Sequence, residues 1–151
     1  MLIDFVVTGE IDRLKIPAPT LGERTDDLWQ GTCFETFISL DSDEGYLEYN
    51  FSPSSDWAIY VFEGYRDGMM PEYGRHVERS WTEQSSVRLA HTVLIELDRN
   101  PSTERLAIGL SAVIEETDGT KSYWALRHPP GKPDFHHPDC FALTLGAPES
   151  P

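Results

Sequence analysis

The segment Cys33-Phe34-Glu35-Thr36-Phe37-Ile38-Ser39-Leu40 sets Phe34, Thr36, Ile38 and Leu40 in one row and Cys33, Glu35, Phe37 and Ser39 in another, and both rows are half apolar. Successive side chains of a strand point to opposite faces, so this is the pattern of a β-strand covered on both sides. On either side of it the same period continues. Tyr46 to Phe51 and Trp57 to Phe62 are aromatic and β-branched; Val87, Leu89, His91, Val93, Ile95 and Leu97 form one row of a long strand, and Leu106, Ile108, Leu110, Ala112 and Ile114 another. Shorter strands are expected at Leu2 to Val7, Ile11 to Ile16, Ser122 to Arg127 and Phe141 to Leu145, about nine in all.

Thr8-Gly9, Asp43-Glu44-Gly45, Asn100-Pro101 and Asp118-Gly119 supply turn chemistry between these runs, and 11 Gly with 11 Pro punctuate the rest. No segment keeps apolar residues at i, i+3, i+4, i+7 for three turns, so little helix is expected. Strands at short intervals without crossover helices predict an all-β, antiparallel β-sandwich of jelly-roll-like type. Gly64 to Gln84 carries no strand signal and reads as a long surface connection.

The 151 residues suffice for one domain over 1–151, burying roughly 70% of the surface its unfolded chain exposes. Twelve Lys and Arg stand against 26 Asp and Glu, a formal net charge of -14, and that acidic field repels phosphate backbones and anionic lipid. Nucleic acid and membrane surfaces are therefore not expected as partners. No apolar run reaches the roughly 20 residues of a membrane span, and the N-terminus lacks the features of a secretory signal, so a cytoplasmic location is expected. Cys33 and Cys140 are too few for a disulfide scaffold and read as two reduced thiols.

Polar residues that interrupt the strand pattern fall in three clusters: Trp29 with Glu35, then Glu48 to Trp57 with Asn50 inside it, then Trp124 to His128 followed by the loop to Asp139. Trp29 and Glu35 are six apart, an even number that shares a face if the strand extends back, and Glu48 and Asn50 share a face with each other. An indole, two carboxylates and an amide on one face suit a sugar. Pyranose rings pack apolar C–H faces on aromatic rings while polar side chains take the hydroxyls. The candidate ligand-binding set is Trp29, Glu35, Glu48, Asn50, Trp57, Arg66, Trp124, His128 and His136. The plainer reading makes the tryptophans core or rim residues and pairs Glu35 with an Arg such as Arg24 or Arg66.

Leu28-Trp29-Gln30-Gly31-Thr32-Cys33-Phe34-Glu35-Thr36-Phe37-Ile38, then Tyr46-Leu47-Glu48-Tyr49-Asn50-Phe51-Ser52-Pro53-Ser54, Trp57-Ala58 and Tyr65-Arg66-Asp67-Gly68-Met69, resemble the bacterial DOMON-like domains related to family 9 carbohydrate-binding modules. The match runs from about residue 14 to residue 145, with Ser122-Tyr123-Trp124-Ala125-Leu126 and Pro133-Asp134-Phe135-His136-His137-Pro138 typical of the DOMON-like subgroup. The resemblance implies a β-sandwich that binds sugar or, in other branches, haem. It places Trp29 and Glu35 at the positions of a ligand-stacking Trp and a hydrogen-bonding Glu, and offers Trp124 or Phe135 as the second aromatic. The His-rich loop departs from the sugar-binding pattern.

The function expected is a non-catalytic domain that binds a saccharide or sugar-containing small molecule, with no cofactor. The alternatives are a haem-binding electron carrier, with Met69 or Met70 and His128 or His136 as axial ligands, and a domain whose polar face meets a protein partner. His128, Asp134, His136, His137 and Asp139 are dense enough to raise a metal, yet adjacent His136 and His137 point opposite ways in an extended chain, and no metal site is expected. A loop pinned by Pro129, Pro130, Pro133 and Pro138, its histidines bonded to neighbouring strands, is the simpler account. No Gly-x-Ser-x-Gly elbow, phosphate loop or His-Glu-x-x-His occurs, so no enzyme is expected.

Overall fold

The computed structural model describes residues 1–40, 44–97 and 105–146. These form ten strands: β1 (Leu2–Thr8), β2 (Cys33–Leu40), β3 (Tyr46–Phe51), β4 (Trp57–Phe62), β5 (Met70–Pro71), β6 (Val77–Gln84), β7 (Arg88–Ile95), β8 (Leu106–Glu115), β9 (Lys121–Ala125) and β10 (Leu143–Leu145). The small sheet runs β1-β7-β6 and the large one β10-β8-β2-β3-β4-β5, with β9 also on β8. All strand pairs are antiparallel, so the protein is an all-β sandwich. Apart from strands there are only single 3-10 turns at Ile11–Arg13, Leu28–Gln30 and Pro138–Cys140 among the described residues, and no helix there is long and apolar enough to cross a membrane.

Central β2 lies between β8 and β3. Its row of Phe34 and Ile38 joins Ile3, Tyr49, Phe51, Ile59, Leu89, Val93, Ile95 and Ile108 in the core between the sheets. Each such Phe or Ile taken from water contributes about 1.5–3 kcal/mol, so this face holds the sandwich together. The opposite row of β2 is buried too. Phe37 packs with Tyr46, Ala58, Tyr60, Phe62, Val113 and Phe135 in a second core, on the outer face of the large sheet. The cover there is the loop that carries Phe135, His136 and Phe141. Gly109 admits it, because a Cβ at that position would meet the Cys140 carbonyl oxygen at 3.0 Å and Phe37 Cβ at 3.5 Å.

Two expectations are corrected. Ile11 to Ile16 is not a strand: a 3-10 turn at Ile11–Arg13 is followed by one bridge, Leu14 to Glu116. Ile11 is buried under the end of the sandwich, and its N–H is bonded to the carbonyls of Gly9 and Ser86 rather than to a ladder. Gly64 to Gln84 is not a strandless connection, since it contains β5 and the eight-residue β6. The signal was absent because the inward side chains of β6 after Val77 are the hydroxyls Ser80 and Thr82, which hydrogen-bond the buried His91 ring at 3.2 and 2.8 Å. His91 stacks on Phe34, 5.3 Å between ring centres, and burial lowers its pKa to about 4. Of the expected turns, Asp43 and Asn100-Pro101 lie outside the described residues.

Candidate functional site

On the outer face of the large sheet, the register sets Glu35 of β2 opposite Asn50 of β3 on one side and Ser111 of β8 on the other, and Glu48 opposite Phe37 and Tyr60. Alternation alone therefore gathers Glu35, Glu48, Asn50 and Ser111 on one surface, which β9 continues with Tyr123 opposite Val113. Over it lie Trp29, from the 3-10 turn Leu28–Gln30, and Phe135 and His136 from the covering loop. Together they enclose a cavity of about 410 Å³ whose lining includes Trp29, Glu35, Glu48, Tyr123, Phe135 and His136. That volume lies in the range of small-molecule sites.

The polar groups of the floor are held in fixed positions. Ser111 Oγ donates to Glu35 Oε2 at 2.8 Å, and Asn50 Nδ2 donates to Glu48 Oε1 at 2.7 Å. The Cys33 thiol lies 3.6 Å from Asn50 Oδ1 as donor, which orients the amide. Glu35 is 3% and Glu48 5% exposed. Burial pushes the Glu35 carboxyl up to about 8, the Glu48 charge adding to the rise and the Ser111 bond opposing it. Burial likewise raises Glu48 to about 7, against the Asn50 hydrogen bond and the Arg66 charge.

Asp134 organises the loop side of the cavity. It accepts from Arg66 Nε at 3.1 Å and Nη2 at 2.8 Å, from the Tyr65 hydroxyl, and from the His136 N–H at 3.2 Å. Burial works against its charge, but the Arg66 and Tyr65 bonds prevail and hold the carboxyl below its ordinary value. Arg66 sits in the left-handed region, φ 54°, a conformation costing a non-glycine residue about 1–3 kcal/mol. The grip on Asp134 and the bond from Arg66 N–H to the Tyr46 hydroxyl, 3.3 Å, hold it there. His136 Nδ1 and the Tyr46 hydroxyl are hydrogen-bonded at 2.8 Å, and Nε2 lies 3.8 Å from Glu48 Oε2. Burial, with help from the Arg66 charge and against Asp134, lowers His136 to about 4, so the contact with Glu48 is not an ion pair at neutral pH.

Of the nine residues singled out in the sequence, Trp29, Glu35, Glu48, Arg66 and His136 line this cavity, and Asn50 lies buried beneath it. Trp29 reaches Glu35 from the 3-10 turn, not from a backward extension of the strand. Trp57 pairs with Phe51 and packs against the core between the sheets, on the other face. Trp124 pairs with inward-facing Ala112 and lines a separate cleft of about 620 Å³ with Phe5, Val7 and Leu110; it is 64% exposed. His128 is exposed beside the Phe135 ring and does not line the 410 Å³ cavity. Tyr123 was missed, and Asp134 was weighed only as a metal ligand. Parity would have found Tyr123, one residue before Trp124, had it been known which face of β9 is outer.

His137 caps the turn Pro138–Cys140, accepting from the Asp139 N–H at 3.2 Å, while His136 enters the cavity, so the adjacent imidazoles do diverge. Cys33 and Cys140 are both buried and free. No family model and no curated protein matches the chain. Among solved structures, the fold is similar to that of a "putative carbohydrate-binding protein" from Bacteroides uniformis ATCC 8492, with a TM-score of 0.61 at 12% identity over 96% of this chain and 70% of that one.

Proposed function

We propose that this protein is a non-catalytic binding domain for a saccharide or sugar-containing small molecule, held in the cavity between the outer face of the large sheet and the Asp134 loop. The observation that carries the reading is the composition of that cavity: aromatic side chains of Trp29, Tyr123 and Phe135 above two buried, hydrogen-bonded carboxyls. Flat apolar walls suit the C–H faces of a pyranose, and fixed carboxyls suit hydroxyls that must be oriented. Two further lines support it. The fold is similar to that of the Bacteroides protein, whose description names carbohydrate binding. The resemblance to DOMON-like domains and family 9 carbohydrate-binding modules puts a stacking Trp at Trp29 and a hydrogen-bonding Glu at Glu35, and both line the cavity.

The haem alternative gains one observation, since Met69 and His136 line the same cavity. The residues do not fit the group, however. His136 is tied through Nδ1 to Tyr46 and lies with Nε2 against Glu48, and the acidic floor would face anionic propionates. A Soret band in the purified protein would overturn this assignment. The saccharide reading is tested by thermal shift against a glycan panel, because a ligand that binds only the folded chain raises the melting temperature by mass action. Binding is expected to vanish in Trp29→Ala, and a panel in which no glycan shifts the melting temperature refutes the reading.

A further inference from the structure

The charges around the cavity do not balance. Glu35, Glu48 and Asp134 bring three carboxyls, and the lining contributes one guanidinium, Arg66, two of whose nitrogens are already hydrogen-bonded to Asp134 Oδ1. His136 is uncharged at neutral pH. Glu35 and Glu48 are thus buried acids that no Lys or Arg of the lining pairs directly, although the Arg66 charge reaches Glu48, an arrangement that proteins usually avoid or relieve by protonation. Glu35 has a further unused valence. Ser111 satisfies Oε2, while Oε1 of this 3%-exposed residue takes no hydrogen bond among the described residues and Glu35 lines the cavity.

A ligand can supply what the chain does not. An ammonium group has three donors and a full positive charge, enough for Glu35 Oε1 and the nearby Glu48 carboxylate together. It is also attracted to aromatic faces, and Trp29, Tyr123 and Phe135 border the same space. We propose that the sugar taken by this cavity carries a free amine, seated as ammonium on Glu35 and Glu48. The inference rests on the saccharide reading of the same cavity and narrows it to amino sugars. An N-acetyl group at that position removes the charge and leaves the carboxyls unpaired, so the cavity discriminates against acetylated forms.

Affinities are measured by calorimetry at pH 7.5 for glucosamine, galactosamine and mannosamine and their di- and trisaccharides, each beside its N-acetylated and its hydroxyl counterpart. The amino form of the best binder is expected to bind at least tenfold more tightly than both counterparts and to release protons as it displaces the carboxyl hydrogens. The preference is expected to shrink at pH 5.5, where both carboxyls are protonated, and to disappear in Glu35→Gln. Equal affinity for the amino and neutral forms overturns the amine assignment while leaving the saccharide reading standing. A panel in which nothing binds overturns both.

Discussion

Stability should fall between pH 6.5 and 8.5, and replacing Glu35 with Gln should remove most of the fall. Glu35 and Glu48 keep their protons in the folded chain up to about 8 and about 7, whereas an unfolded Glu releases its proton near 4.5. Over those intervals the folded state binds more protons, so each carboxyl lowers stability by about 1.4 kcal/mol per pH unit as pH rises. His91 and His136 act in the opposite sense. Folded they titrate near 4 and unfolded near 6.5, so each adds stability as pH rises from 4 to 6.5. Two rising and two falling contributions nearly cancel between 4.5 and 6.5. Above 6.5 only the carboxyls remain, half a unit of Glu48 and one and a half of Glu35, roughly 3 kcal/mol in all. Glu35→Gln keeps the shape of the side chain without its charge and should abolish about three quarters of that decline. Urea unfolding followed by circular dichroism from pH 5 to 9 measures both proteins. A wild type that is level or more stable on going from pH 6.5 to 8.5, or a variant that declines as steeply, would mean that Glu35 is not held protonated by its burial.

Trp29→Ala should cost about 1–2 kcal/mol in chemical denaturation, below the 3–5 of a fully buried Trp, because the ring is only half-buried and meets Tyr60 edge-on at 5.7 Å. Trp124→Ala should leave glycan affinity unchanged and shift stability by no more than about 0.5 kcal/mol, since the ring is exposed on the opposite face; a titration that loses affinity would place the site elsewhere. Asp134→Asn weakens the anchor shared by Arg66, Tyr65 and the His136 N–H. It should lower stability by about 1 kcal/mol after allowance for the exposure of Arg66, with faster amide exchange at residues 134–137 as the readout.

The strand pattern was legible in the residues themselves because a covered strand has a period of two and the segments 46–51 and 57–62 are bounded by turns; both strands fall on those residues. Parity also put Glu48 and Asn50 on one face without any knowledge of the fold. What alternation cannot give is which face is which. Trp57 and Trp124 looked as suitable as Trp29, yet their registers with Phe51 and Ala112 turn them to the inner side of the large sheet. β6 was invisible for a related reason: an edge strand whose inward side chains satisfy a buried histidine needs hydroxyls, not an apolar row.

Residue alternation alone makes this a chain of paired strands and sets Glu35, Glu48 and Asn50 on central ones. That they form the floor of a cavity follows from long-range packing. That required the loop ending in Pro138–Cys140 to fold down over β8, where Gly109 leaves room, and Asp134 to draw Arg66, Tyr65 and His136 together from positions about seventy residues apart. A local period is set by backbone geometry and shows in any short window. A cavity depends on which distant segments share their contacts, and no spacing along the chain encodes that.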